Sequence, residues 1–276
     1  MHGAVKPFRA LSPDVRTFFL IASGLINLLA FTLLTCSIGF FLGLTISIWQ
    51  LPLAFLLSLI SNYYLILFLP GGKKRTIMLI SSSGIFGIVI LAIFFAGMFY
   101  DISFDGQWYH QESVLQLSTN WNPVKANLEV PEAERGYSGD NDWCTGRDDQ
   151  VQNLHPFNNT SPNLKYVAIN HFPKGIEIAE ASIYKISKHI ETAKAVNGIL
   201  LAATFFLSLS FLYGFAGIRA WQKWVMALII SFNPIAVTQL LSFCVDGSLA
   251  CLLTCLVLTC CLLFRQVNKV HLWLMS

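Results

Sequence analysis

Six stretches of this chain are apolar almost throughout: Thr17–Thr45, Leu51–Leu69, Thr76–Phe99, Ala195–Gly217, Trp224–Phe243 and Gly247–Phe264. Each holds about 18 residues or more, the length a helix needs to cross a hydrocarbon core. The pattern predicts six transmembrane helices, with Trp49-Gln50 as a tight outer turn between the first two. Between the third and fourth runs the pattern changes. Gln111–Asn120 predicts a short surface helix with Val114, Leu115 and Leu117 apolar, stopped by Asn122-Pro123. Lys125–Pro162, rich in Asn, Asp, Gly and Pro, predicts an irregular excursion. After Pro173-Lys-Gly175, Ile176, Ala179, Ile183, Ile186 and Ile190 recur on one helical face, with Glu177, Glu180, Lys185, Lys188 and Glu191 on the others. Such a helix, ending where a span begins at Ala195, is expected to lie in the membrane interface. The fold class is therefore an all-α polytopic membrane protein of about six spans with a large outer loop carrying interfacial helices. Residues 1–99 form an N-terminal membrane region of three spans, 100–194 the loop, and 195–276 a C-terminal membrane region of three spans.

Composition agrees with a bilayer as the principal environment. Of 276 residues 55% are hydrophobic and only 12% charged, and mean hydropathy is +0.60, outside the range of soluble globular chains. Nothing in the pattern points to nucleic acid. The first apolar run is too long for a secretory signal and no small-residue cleavage site follows it, so it is expected to remain as an anchor. Charge then assigns sides. Lys6, Arg9, Arg16, Lys73, Lys74, Arg75, Arg219, Lys223, Arg265 and Lys269 all fall at alternate membrane exits. The positive-inside rule puts those exits, and both termini, in the cytoplasm. The loop Asp101–Lys194 carries eight Lys and Arg against thirteen Asp and Glu, a net −5, and is expected outside, in a bacterial inner membrane facing the periplasm.

Cysteine adds little chemistry. Six of the seven lie in or beside apolar runs, where they behave as small hydrophobes, and Cys144 stands alone in the loop. No Cys/His spacing resembles a zinc site, and no cofactor is indicated.

The candidate chemistry is concentrated where the third run ends. Asp101, Asp105, His110 and Glu112 follow Tyr100 within twelve residues, interleaved with aromatics. Carboxylates at a membrane exit are costly to desolvate and call for an explanation. His171 and Lys174 precede the second loop helix, and a second Asp-Gly pair, Asp246-Gly247, opens the sixth run. Topology places both Asp-Gly pairs, Asp105-Gly106 and Asp246-Gly247, at the outer face, where they are expected to line one cavity. The fifth run carries Asn233-Pro234 and Gln239, a kink that frees a backbone carbonyl.

Tyr100-Asp-Ile-Ser-Phe-Asp-Gly-Gln-Trp-Tyr-His-Gln-Glu112, Trp121-Asn-Pro123, His171-Phe-Pro-Lys-Gly175 and Val245-Asp-Gly247 resemble motifs of bacterial members of the GT-C-fold, polyprenyl-phosphate-dependent membrane glycosyltransferases, the protein O-mannosyltransferase and aminoarabinose-transferase type. The resemblance covers roughly 99–264. It implies transfer of a sugar from a polyprenyl-phosphate donor to an acceptor hydroxyl at the outer face. By the same resemblance Asp105, with Asp101 second, is the general base, and His110 and Glu112 orient acceptor or base. His171 and Lys174 meet the leaving phosphate. From the shared cavity, rather than the resemblance, Asp246 is expected to contact substrate hydroxyls or an ion. Two features depart from that family: the loop follows the third span rather than the first, and its members generally carry more spans and a C-terminal soluble region. A truncated or reduced member is therefore expected. A transporter and a non-catalytic membrane scaffold are the rival classes.

Overall fold

The computed structural model describes residues 13–69, 72–129, 162–171 and 173–274, and among them every regular element is helical. Much of the excursion predicted over Lys125–Pro162, with Cys144, lies outside the described residues, as do Lys6 and Arg9. Among the described residues five helices are long and apolar enough to cross a membrane: Asp14–Phe41, Gln50–Phe68, Lys74–Met98, Ile190–Tyr213 and Asp246–Phe264. They belong to α1 (Pro13–Phe41), α2 (Gln50–Phe68), α3 (Lys74–Met98), α7 (Ala195–Tyr213) and α10 (Asp246–Leu274).

The remaining predicted span, Trp224–Phe243, is broken. It forms α8 (Ala220–Ser231) and the short α9 (Pro234–Thr238), followed by an irregular stretch up to Asp246. The cause is local. Pro234 has no N–H and holds Asn233 in an extended conformation, and the Asn233 side chain then accepts from Ala236 N at 2.9 Å to start α9 afresh. The two pieces still run the length of α7. Trp224 Nε1 donates to Tyr213 Oη at one end (3.1 Å), and Asn197 Nδ2 donates to the Gln239 carbonyl at the other (3.1 Å).

The core is built on α1 and α7. Leu25 and Leu28 of α1, Ile85 of α3, and Val196, Ile199 and Leu200 of α7 are buried together. The outward faces of α2 and α3 carry Leu, Ile and Phe side chains that suit lipid tails. In α2 the buried positions Gln50, Ala54, Ser58, Asn62 and Ile66 recur every fourth residue, facing α1. Ser58 and Asn62 there donate to the Gly24 and Leu20 carbonyls of α1 at 2.6 and 2.9 Å. Helix α1 ends in a Schellman turn: Gly43 (φ 84°) donates to Phe40 O and Leu44 to Gly39 O. Asn122 closes it from the loop side, donating to the carbonyls of Phe40 (2.9 Å) and Leu44 (3.0 Å).

The loop helices pack together and against the end of α1. After a π turn at Gly106–His110 come α4 (Gln111–Thr119), α5 (Pro162–His171) and α6 (Gly175–Ser187). Leu117 of α4, Ile169 of α5 and Ile178 and Ala181 of α6 share a second buried cluster with Cys36 and Phe40 of α1. The periodicity predicted one helix reaching Ile190. Instead α6 stops at Ser187, where Lys188 adopts a left-handed backbone (φ 58°), and a separate 3-10 turn, Ile190–Lys194, leads into α7. Helix α6 buries Glu177, Ala179, Glu180, Ala181 and Ser182, so its carboxylates point inward and the simple amphipathic assignment is corrected.

Candidate functional site

The site is assembled where α3 ends and the broken span returns. Asp101, predicted as a second catalytic carboxylate, is buried and fully engaged. Its Oδ1 accepts from Ser103 N and its Oδ2 from Phe243 N, both at 2.7 Å, and Gln107 Nε2 donates to its carbonyl. Its own N–H donates to Glu191 Oε2 at 3.1 Å. Glu191 pairs in turn with Lys194, whose ammonium also donates to Phe99 O at 2.6 Å. Lys194 is completely buried. This chain of contacts fastens the end of α3, the 3-10 turn and the 239–245 stretch to one another. Gly106 is required beside it, because a Cβ there would collide with the Asp101 carboxylate and Ser103 Oγ.

Above that fastening the groups are accessible. Asp105 is exposed at the start of the π turn, and Asp246 is exposed at the start of α10, where Gln239 Nε2 donates to its Oδ2 at 3.2 Å. Tyr109 lies between their fields. Its phenol is pushed up to about 12, first by desolvation and then by the negative charge of Asp105, Glu177, Cys244 and Asp246. Asp105 and Asp246, 141 residues apart, are therefore both within electrostatic reach of the Tyr109 phenol.

Below them lies a buried polar layer that sequence reasoning missed. His110 Nδ1 is 3.0 Å from Glu177 Oε1, with both side chains almost wholly enclosed. Lys174 Nζ is 3.9 Å from the same oxygen. Burial lowers the Lys174 pKa, and the Glu177 charge partly restores it. Glu180 is fully buried and neither carboxyl oxygen has a hydrogen-bond partner. Its pKa stands well above the ordinary carboxylate range, through burial first and then the neighbouring Glu177, Asp101 and Cys244, against which Lys194 pulls it down.

The other predicted residues stand apart. Glu112 pairs with Lys165 of α5 at 3.4 Å and accepts from Gln116 at 2.7 Å. His171 is exposed, its Nδ1 2.9 Å from Val167 O of its own helix. Asp101, Asp105, His110, Lys174 and Asp246 are thus brought to one region, whereas Glu112 and His171 face the α4–α5 side. The sequence signal for the missed layer was the company of the carboxylates. Glu177 and Glu180 stand among Ile178, Ala179, Ala181 and Ser182, apolar or small residues that permit close packing around them.

An apolar groove of about 300 Å³ opens near the fastening, lined by Ile88, Ala92 and Phe95 of α3, Gly198 and Leu201 of α7, and Leu240. Family models, curated proteins and solved structures give no match to this chain.

Proposed function

We propose that the protein is a membrane glycosyltransferase that moves a sugar from a polyprenyl-phosphate donor to an acceptor hydroxyl at the face carrying Asp105 and Asp246. The observation that supports this reading is that two exposed carboxylates, Asp105 and Asp246, both lie within electrostatic reach of Tyr109, next to the buried and hydrogen-bonded Asp101. A general base must be reachable by the acceptor, and Asp105 is reachable while Asp101 is occupied by two backbone amides. Asp105 takes the acceptor proton as the hydroxyl oxygen attacks the sugar C1 and the bond to the lipid phosphate breaks. Lys174 is enclosed beside Glu177, so in this reading it would meet the leaving phosphate only if the α6 end opens, and Asp246 contacts sugar or acceptor hydroxyls. We place the Asp105 face on the periplasmic side of a bacterial inner membrane, with both ends of the chain in the cytoplasm, on the charge asymmetry of the exits.

The test is transfer from a radiolabelled polyprenyl-phosphate sugar at matched protein levels. Asp105→Asn keeps the shape and removes the base, so turnover should fall by about 10²–10⁴-fold. Undiminished transfer by Asp105→Asn removes it as the base. A proton-coupled transporter is the second reading, favoured by the broken span and the enclosed carboxylates. Substrate uptake into vesicles, with no transfer by the wild type, selects it.

A further inference from the structure

Four carboxylates enter the buried layer, and three of them are accounted for. Asp101 takes two backbone amides, Glu191 takes Lys194, and Glu177 takes His110 through Oε1. Glu180 has none of these. It is wholly enclosed, no donor reaches either oxygen, and the nearby lysine, Lys194, is committed to Glu191 and the Phe99 carbonyl. An isolated carboxylate in such a place neutralises rather than bear the cost of burial. Two further orphaned groups mark the spot as unfinished. Glu177 Oε2 lacks a donor, and Lys174 Nζ, on a side chain only 9% exposed, lacks an acceptor within hydrogen-bond distance although it faces Glu177.

We infer that Glu177 and Glu180 form an internal proton-binding site: one proton is held at neutral pH, resident on Glu180 and shared with Glu177 Oε2. The proton supplies the donor that Glu177 Oε2 lacks and removes the charge that Glu180 cannot pair. Its loss to base leaves two adjacent carboxylates. Facing them are Lys174 at the residue before the helix, His110 from the π turn, Asp101 from the end of α3, Cys244 from the 239–245 stretch and Lys194 from the 3-10 turn. Only Lys174, His110 and Lys194 can oppose the added charge, and Lys194 is already paired. Deprotonation therefore loosens the contact of α6 with α4 and the π turn, the base on which Tyr109 and Asp105 stand. This inference rests on neither functional reading, and its test uses no transfer or uptake assay.

Infrared difference spectroscopy of the purified, lipid-reconstituted chain reads the proton directly. At neutral pH exposed carboxyls are ionised, so a protonated-carboxyl stretching band reports an enclosed acid. The wild type is expected to show that band, to lose it as pH is raised, and to lose it at neutral pH in Glu180→Gln. Absence of the band from the wild type, or a band unchanged in a folded Glu180→Gln, overturns the site. Thermal unfolding supplies the second measurement. Because the folded-state pKa of Glu180 is raised, its contribution to stability is complete below the ordinary glutamate range and is lost as pH rises toward the folded value. The unfolding midpoint of the wild type should fall over that window, and Glu180→Gln should flatten the fall. Equal slopes in the two proteins overturn the inference.

Discussion

At the scale of single residues, the decisive contrast is between two aspartates four positions apart. Asp101 and Asp105 look equivalent in the sequence, each in a polar stretch after a span. The fold gives Asp101 to two backbone amides and leaves Asp105 at the surface, so the first holds and the second is free to react. The same distinction governs Lys194. Removing its charge by Lys194→Met leaves Glu191 enclosed without a cation, and breaking a buried pair in this way costs about 3–5 kcal/mol. The double variant Glu191→Gln, Lys194→Met should recover much of that loss, because no uncompensated charge remains. Unfolding of the detergent-solubilised protein, followed by size-exclusion chromatography after heating, compares the three. A single variant as stable as the wild type would show that the Glu191–Lys194 pair does not hold the end of α3. None of this pairing was legible beforehand. The i,i+3 spacing of Glu191 and Lys194 and of Lys174 and Glu177 is visible in the sequence, but exposure decides whether such a pair matters, and exposure is set by elements far along the chain.

At the scale of elements, long apolar runs were legible and their interruptions only partly so. Five predicted spans stand as continuous helices because about 18 or more apolar residues leave a backbone in lipid no alternative to helix. Asn233-Pro234 was legible as a kink. Its conversion into a full break depends on Asn197, a polar residue in the apolar α7. Asn197 Nδ2 donates to Ser242 O (2.8 Å) as well as to Gln239 O, and its Oδ1 accepts from Ser248 Oγ. It thereby satisfies backbone that a continuous helix would have satisfied internally. Asn197→Ala leaves Ser242 O and Ser248 Oγ without these partners at a buried position. The expected destabilisation is about 1–3 kcal/mol, from values of about 0.6–2 kcal/mol per interhelical bond in membranes. A lowered thermal midpoint is the readout, and Asn197→Asp, which sets a carboxylate oxygen against the Gln239 and Ser242 carbonyls at a buried position, should be no milder. Helix α6 shows the opposite failure. Its Ile/Ala periodicity correctly announced a helix, but two flanking helices, α4 and α1, enclose it. A face that is polar in a helical projection then becomes interior, and periodicity alone carries no information about a second partner.

At the scale of the whole molecule, the broken span decides the parity of the fold. Five continuous spans would put the two ends of the chain on opposite sides. Helices α8 and α9 together run alongside α7 from the Tyr213–Trp224 contact to the Asn197–Gln239 contact, as the predicted sixth crossing, made in two pieces, would. The proposed orientation then puts Gly72, Gly217 and Asn268 on one side and Asn120 on the other. Gly72 and Gly217 have open space where a Cβ would stand, so each accepts a cysteine without strain from packing, and Asn120 is exposed at the end of α4. In a Cys144→Ser background, Asn120→Cys should react with a membrane-impermeant thiol reagent in intact cells. Gly72→Cys, Gly217→Cys and Asn268→Cys should react only after permeabilisation. Labelling of Gly72→Cys and Gly217→Cys in intact cells would reverse the orientation drawn from the basic exits. Labelling of Asn268→Cys alone would show that α8 and α9 enter and leave on the same side. In that case Asp246 could not share a side of the membrane with Asp105 and Tyr109, and the support for a catalytic face would be lost along with the sixth crossing.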